Sequence, residues 1–205
     1  MIKKEESRGP GIATLATIIV IGLAVIYLPL RSVRPGGPEF GWDAPDAVKA
    51  IAGYRSWTKV NPKPDFMLPA TAALCAMVLP STGTDVNTGT NPHRRKYITV
   101  YVNESGRRAM MEQASPKFPE GSVIVKEKLS EPSSTSPELL TVMIKREKGF
   151  NPETGDWEYA VLDGTGTKLE TRGKLSNCQG CHVSRPHSDY VFRTYLTDEV
   201  RHKLK

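Results

Sequence analysis

Only three cysteines occur in the chain, Cys75, Cys178 and Cys181, too few for a disulfide-built scaffold. No block of like charge is present. The net charge of +6 is spread over 205 residues, which describes a solvated surface suited to an acidic redox partner and argues against nucleic acid. Internal repeats are absent. Long apolar runs are nearly absent too, with Gly11 to Leu28 the conspicuous one. Sixteen prolines and 17 glycines set a helical bundle aside in favour of short strands and turns.

The apolar run is long enough to cross a hydrocarbon core, and the apolar region of a signal peptide is usually shorter. No small-x-small cleavage pattern follows it, because Ala24-Val25-Ile26 ends in a bulky residue. The expectation is therefore an uncleaved signal anchor, with a cleaved signal peptide as the alternative. On this reading residues 1–10 are a cytoplasmic N-terminus and 11–30 a transmembrane anchor. Residues 31–43, with Pro35, Gly36, Gly37 and Pro38, form a tether, and 44–205 form one domain. Flanking charge barely orients the span, since Lys3, Lys4 and Arg8 precede it and Arg31 and Arg34 follow.

Within the domain, a helix is expected from Pro45 through Val48, Ile51 and Tyr54 toward Trp57, and an extended segment over 61–69. Residues 81–92 read as an exposed loop. Strands are expected at Tyr97–Val102, Ser122–Lys128, Leu139–Lys145 and Trp157–Leu162. A short helix at Glu104–Gln113 follows the first, with Asn103 or Ser105 as its cap. Turns lie at Phe118–Gly121, Asn151–Asp156 and Asp163–Gly166. Together these describe a mainly β (α+β) domain: an antiparallel sheet packed with a few helices.

The chemistry sits near the C-terminus, in Cys178-Gln179-Gly180-Cys181-His182. A C-x-x-C pair followed directly by histidine is the attachment pattern of a c-type haem. Each thiol adds to one vinyl group, and the short helical turn between them swings the imidazole of His182 under the iron as its axial ligand. The alternatives are a redox dithiol, half of a zinc site and a structural disulfide. None of them gives residue 182 a reason to be histidine. Covalent haem attachment belongs to the outer face of the bacterial inner membrane, which puts the domain in the periplasm. Cys75, left over, reads as a small buried hydrophobe.

Small helical electron carriers place this motif early and supply a methionine ligand well after it. Here no methionine follows position 182. The iron is expected to have one protein ligand and an open face. His93 reads as a surface loop residue or a distal group, His187 as a partner for a haem propionate, and His202 as solvated.

The stretch from Tyr97 to Phe192 resembles cytochrome P-460 and its relative cytochrome c′-beta. Thr99-Val100-Tyr101-Val102, Gly121 to Glu127, Gly155-Asp156-Trp157, the haem motif and Asp189-Tyr190-Val191-Phe192 carry the likeness, and Tyr54 to Trp57 extends it. The resemblance implies a mainly antiparallel sheet with helices, often dimeric, holding one five-coordinate haem c. In cytochrome P-460 a lysine is also bonded to the porphyrin edge, and the similar position here is Lys126. Members with that cross-link oxidise hydroxylamine, with nitric oxide as ligand or intermediate. Those without it bind gases.

Two departures stand out. The distal carboxylate of the hydroxylamine oxidisers, a general base, matches Thr141, and a basic distal residue matches Ile98. Glu138 and Glu147 flank that strand. Lys126 itself has two readings. Alternation puts it on one strand face with Ser122, Ile124 and Lys128, which reads as solvent, whereas the resemblance puts it at the haem. An enzyme acting on a small nitrogen compound and a non-enzymatic gas-binding or electron-transfer haem subunit of a membrane complex both fit.

Overall fold

A computed structural model describes residues 44–67 and 96–204. The expected anchor and tether, Cys75, His93 and the 81–92 loop lie outside them. Among the described residues no helix is long and apolar enough to cross a membrane.

Among the described residues seven antiparallel strands form one sheet: β1 (Thr58–Lys59), β2 (Asp65–Met67), β3 (Lys96–Val102), β4 (Val123–Leu129), β5 (Leu139–Lys145), β6 (Trp157–Asp163) and β7 (Leu169–Gly173). From β3 to β7 the strands are neighbours in sequence order, and β1 and β2 both pair with the outer edge of β3. Four helices complete the described chain: α1 (Ala44–Ala50), α2 (Glu104–Glu112), α3 (Ser176–His182) and α4 (Asp198–Lys203).

The central strands are buried along almost their whole length because both faces of the sheet are covered. On one face, Ile51, Tyr54, Tyr101, Val123, Val125, Leu140 and Leu162 form a core. On the other, Val100, Val102, Ile124, Met143, Trp157 and Tyr159 pack with Met110, Phe118, Val191 and Leu196. Residues two apart on each strand share a face, so in β4 Val123 and Val125 enter the first core and Ile124 the second.

Local chemistry explains the element ends. Asn103 caps α2, its side chain accepting from the Gly106 N–H at 3.1 Å. Gly106 is required by packing, because a Cβ there would lie 2.8 Å from the Val102 side chain. The first helix is shorter than expected. It ends at Ala50 and gives way to a 3₁₀ turn at Tyr54–Ser56, since Gly53 takes φ 73°, the left-handed conformation that breaks a helix. Three elements were not expected at all, the two-residue β1, β7 and α4. The sequence of β7, Leu-Glu-Thr-Arg-Gly, has no apolar alternation; it pairs with β6 alone, across an irregularity at Val161/Leu162.

Candidate haem site

The motif forms the helix expected of it. α3 carries Cys178 and Cys181 as half-buried thiols and ends on His182. The structure therefore gives no disulfide across the pair. Nor does any group of three or more His, Cys, Asp or Glu side chains come together among the described residues, as a zinc site would need.

A cleft of about 310 Å³ opens beside this helix, with Cys178, Cys181 and His182 on its wall. Ile98, Val100 and Ile124 from β3 and β4 supply apolar lining. The His182 ring sits between two aromatic rings, Tyr159 at 5.3 Å and Phe192 at 5.1 Å between centroids. Its Nδ1 lies 2.6 Å from the Tyr190 carbonyl. That carbonyl can only accept, so Nδ1 carries the proton and Nε2 is left as the basic nitrogen for a metal. Burial pushes the His182 pKa down to about 4, the Tyr190 carbonyl opposes the shift, and the nearby Lys126 charge adds to it. The imidazole is neutral at physiological pH, the form that binds iron.

The Tyr190 carbonyl is aimed by an uncommon backbone. Asp189 and Tyr190 have φ 51° and 63°, two successive non-glycine residues in the left-handed region. Each costs on the order of 1–3 kcal/mol and persists only where the surroundings hold it. Asp189 is buried and bound on all sides: its carboxylate accepts from Lys145 Nζ at 2.7 Å and from the Phe118 N–H at 2.8 Å, and its carbonyl accepts from Trp157 Nε1 at 2.8 Å.

Lys126 lines the same cleft, beside Ile124 and opposite Thr141 in the β4–β5 register. The alternation argument assigned its face correctly and misjudged what covers it: that face is the cleft and not bulk solvent. Glu127, on the opposite face, is buried and accepts from Tyr54 Oη at 2.6 Å and Arg55 Nε at 2.7 Å. Thr141 and Ile98, the two positions matched to distal groups, also line the cleft. Glu138 and Glu147 do not; Glu138 pairs with Lys96, and Glu147 is an exposed partner of Arg146. His187 is exposed in the 186–188 turn and also stays off the wall, and His202 is exposed on α4.

Sequence reasoning missed two features of the lining. Asp65 on β2, directly across from Ile98, is the one acidic residue on the described wall. Met67 and Met143 bring thioethers to it. Both methionines precede the motif and reach the cleft through sheet pairing, which spacing along the chain does not reveal.

Two thiols a helical turn apart, a neutral imidazole with its outer nitrogen committed, and a facing aliphatic wall together fit a porphyrin. A search of curated proteins finds no match. The family model described as cytochrome P460 matches residues 51–193, well over half of the chain. That family implies a haem cofactor and points to chemistry on small nitrogen compounds, and on this match the chain belongs to the cytochrome P460 family.

Proposed function

We propose that this is a periplasmic mono-haem c-type cytochrome, held at the bacterial inner membrane by the 11–30 anchor, that acts on a small nitrogen compound such as hydroxylamine or nitric oxide. The observation that carries the reading is the placement of Cys178, Cys181 and His182 on one wall of an apolar cleft that Lys126 also lines. Cys178 and Cys181 would hold the haem covalently, one group per chain, and His182 would bind its iron. When bound, haem supplies one-electron redox chemistry and an open coordination position for the nitrogen compound.

The protein's own groups divide the remaining work. The aliphatic lining from β3 and β4 limits water at the cleft. Asp65 is the carboxylate available there to accept a proton from a bound N–H or O–H. It takes the role that Thr141 lacks the chemistry to fill. Lys126 is the candidate for the porphyrin cross-link. Electrons would leave to an acidic redox partner, with a homodimer as the assembly that the family resemblance suggests.

Within a second reading, a non-enzymatic electron-transfer or gas-binding haem subunit, Met67 and Met143 on the cleft wall favour electron transfer, since a thioether ligand would close the position a gas needs. Optical spectra of the purified full chain separate the two. A ferric spectrum with the far-red charge-transfer band of methionine ligation supports the carrier; a five-coordinate spectrum that changes on adding hydroxylamine supports the enzyme. Retention of covalently bound haem after Cys178→Ala with Cys181→Ala overturns both.

A further inference from the structure

We infer that Asp189 is a positioning residue for the iron-binding histidine, acting through the Tyr190 carbonyl. The inference rests on the reading of His182 as the iron ligand. It concerns a residue outside the cleft wall, to which that reading gives no role.

His182 is the last residue of a helix of seven residues. The ring is fixed eight residues on, by the carbonyl of Tyr190 at 2.6 Å from Nδ1. That carbonyl points inward because Asp189 and Tyr190 both adopt positive φ. A short loop has no intrinsic reason to hold two such residues together. Here the reason lies in what grips Asp189.

Its carboxylate bonds Lys145 on β5 and the backbone N–H of Phe118, and its carbonyl bonds the indole of Trp157 on β6. The Lys145 ammonium also stands 5.0 Å from the centroid of the Trp157 ring. Residue 189 is thus pinned to the sheet at Lys145 and Trp157 and to the loop before β4 at Phe118. Tyr190 is pressed from one more side: a Cβ on Gly155 would meet its ring at 2.5 Å, so only glycine leaves room. The turn backbone adds bonds from Tyr190 N–H to Arg185 O and from Asp189 N–H to Pro186 O. The sheet, through Asp189, sets the angle and hydrogen bond of the proximal imidazole.

The consequence is electronic. A carbonyl that accepts firmly from Nδ1–H makes Nε2 a stronger donor and favours oxidised iron. Loosening residue 189 lengthens that bond and weakens the donor. No atoms are transferred; the effect is on equilibrium and ligand strength alone.

The test uses holoprotein carrying Asp189→Asn or Lys145→Gln, which break the same ion pair from either side. Glu158→Gln is the control, since Glu158 is an equally buried carboxylate bound instead to Arg146 and Arg172. The readouts are the iron–histidine stretching frequency of the ligand-free ferrous protein and the midpoint potential. Both brace variants should lower the frequency and shift the redox equilibrium about tenfold toward reduced iron, about 59 mV for one electron. Glu158→Gln should lower Tm and leave the frequency in place. Brace variants that match wild type or the Glu158→Gln control in frequency overturn the inference. If Asp189→Asn does not fold, Lys145→Gln decides alone by the same two outcomes. A wild-type protein without histidine-ligated haem instead overturns the reading on which the inference stands.

Discussion

Lys126 stands directly opposite Thr141 across the β4–β5 ladder, and both side chains line the cleft that holds His182. A lysine on that wall is the residue to test for a bond to the porphyrin edge, and a threonine facing it cannot serve as a carboxylate base. The ladder thus sets side by side the position matched to the cross-link lysine and the position matched to the distal carboxylate, and the second of them is threonine.

The cross-link prediction follows. Peptide mapping of the holoprotein should recover Lys126 attached to haem, and the reduced Soret band should lie well to the red of an ordinary haem c. Lys126→Ala should return the spectrum to the ordinary position with haem content unchanged. An identical spectrum in wild type and variant shows that no such bond forms.

Asp65 carries the second prediction. It lies on the cleft wall across from Ile98 and its Oδ1 accepts from the Phe66 N–H at 3.0 Å, which steadies the carboxylate locally. Asp65→Asn should cut hydroxylamine turnover on the order of 100-fold, the usual scale for a lost general base. Haem content and the ligand-free spectrum should stay as they are. Turnover equal to wild type assigns the proton to another acceptor.

Stability above neutral pH tests the opposite face of the sheet. Burial, then the hydrogen bond to Glu127, raises the Tyr54 pKa well above its ordinary 10.0. The protonated phenol is the form the fold stabilises. Its contribution is complete below pH 10.0 and is lost as pH rises through the higher folded-state value. Tyr54→Phe should cost about 1–3 kcal/mol at neutral pH, because Glu127 stays buried with one donor fewer. The variant should also show a flatter fall in Tm between neutral and strongly alkaline pH.

Gly164 gives a purely steric test. A Cβ there would sit 1.9 Å from the Pro137 carbonyl oxygen, a backbone atom that cannot rotate away. Gly164→Ala should destabilise by about 1–3 kcal/mol, the scale of overpacking, as measured by chemical denaturation. Gly180, with open space at the same position, should accept alanine at little cost.

The strands were legible because their apolar runs are strong and their turns are marked by Gly, Pro and Asn. β5 occupies Leu139–Lys145 as expected, β3 and β6 are each one residue longer than expected, and β4 is shifted by one residue. β7 and α4 escaped because neither carries an apolar stripe: each is held by tertiary neighbours or by its own ion pairs, such as Lys203–Glu199. Asn103 showed itself as a cap since capping is a local event.

The sequence by itself determined the haem motif, since two thiols and an imidazole within one helical turn are covalently fixed in spacing whatever surrounds them. It also determined which residues of β4 share a face, because strand periodicity is local. Only the tertiary structure decided what lies against each face. Packing on both sides of the sheet turned Lys126 from a surface lysine into a cleft residue and buried Glu127 beneath Tyr54. Pairing of β2 with β3 brought Asp65 to the cleft, and the sheet's grip on Asp189 turned a carbonyl toward His182. These contacts join residues tens of positions apart, and no local pattern encodes them.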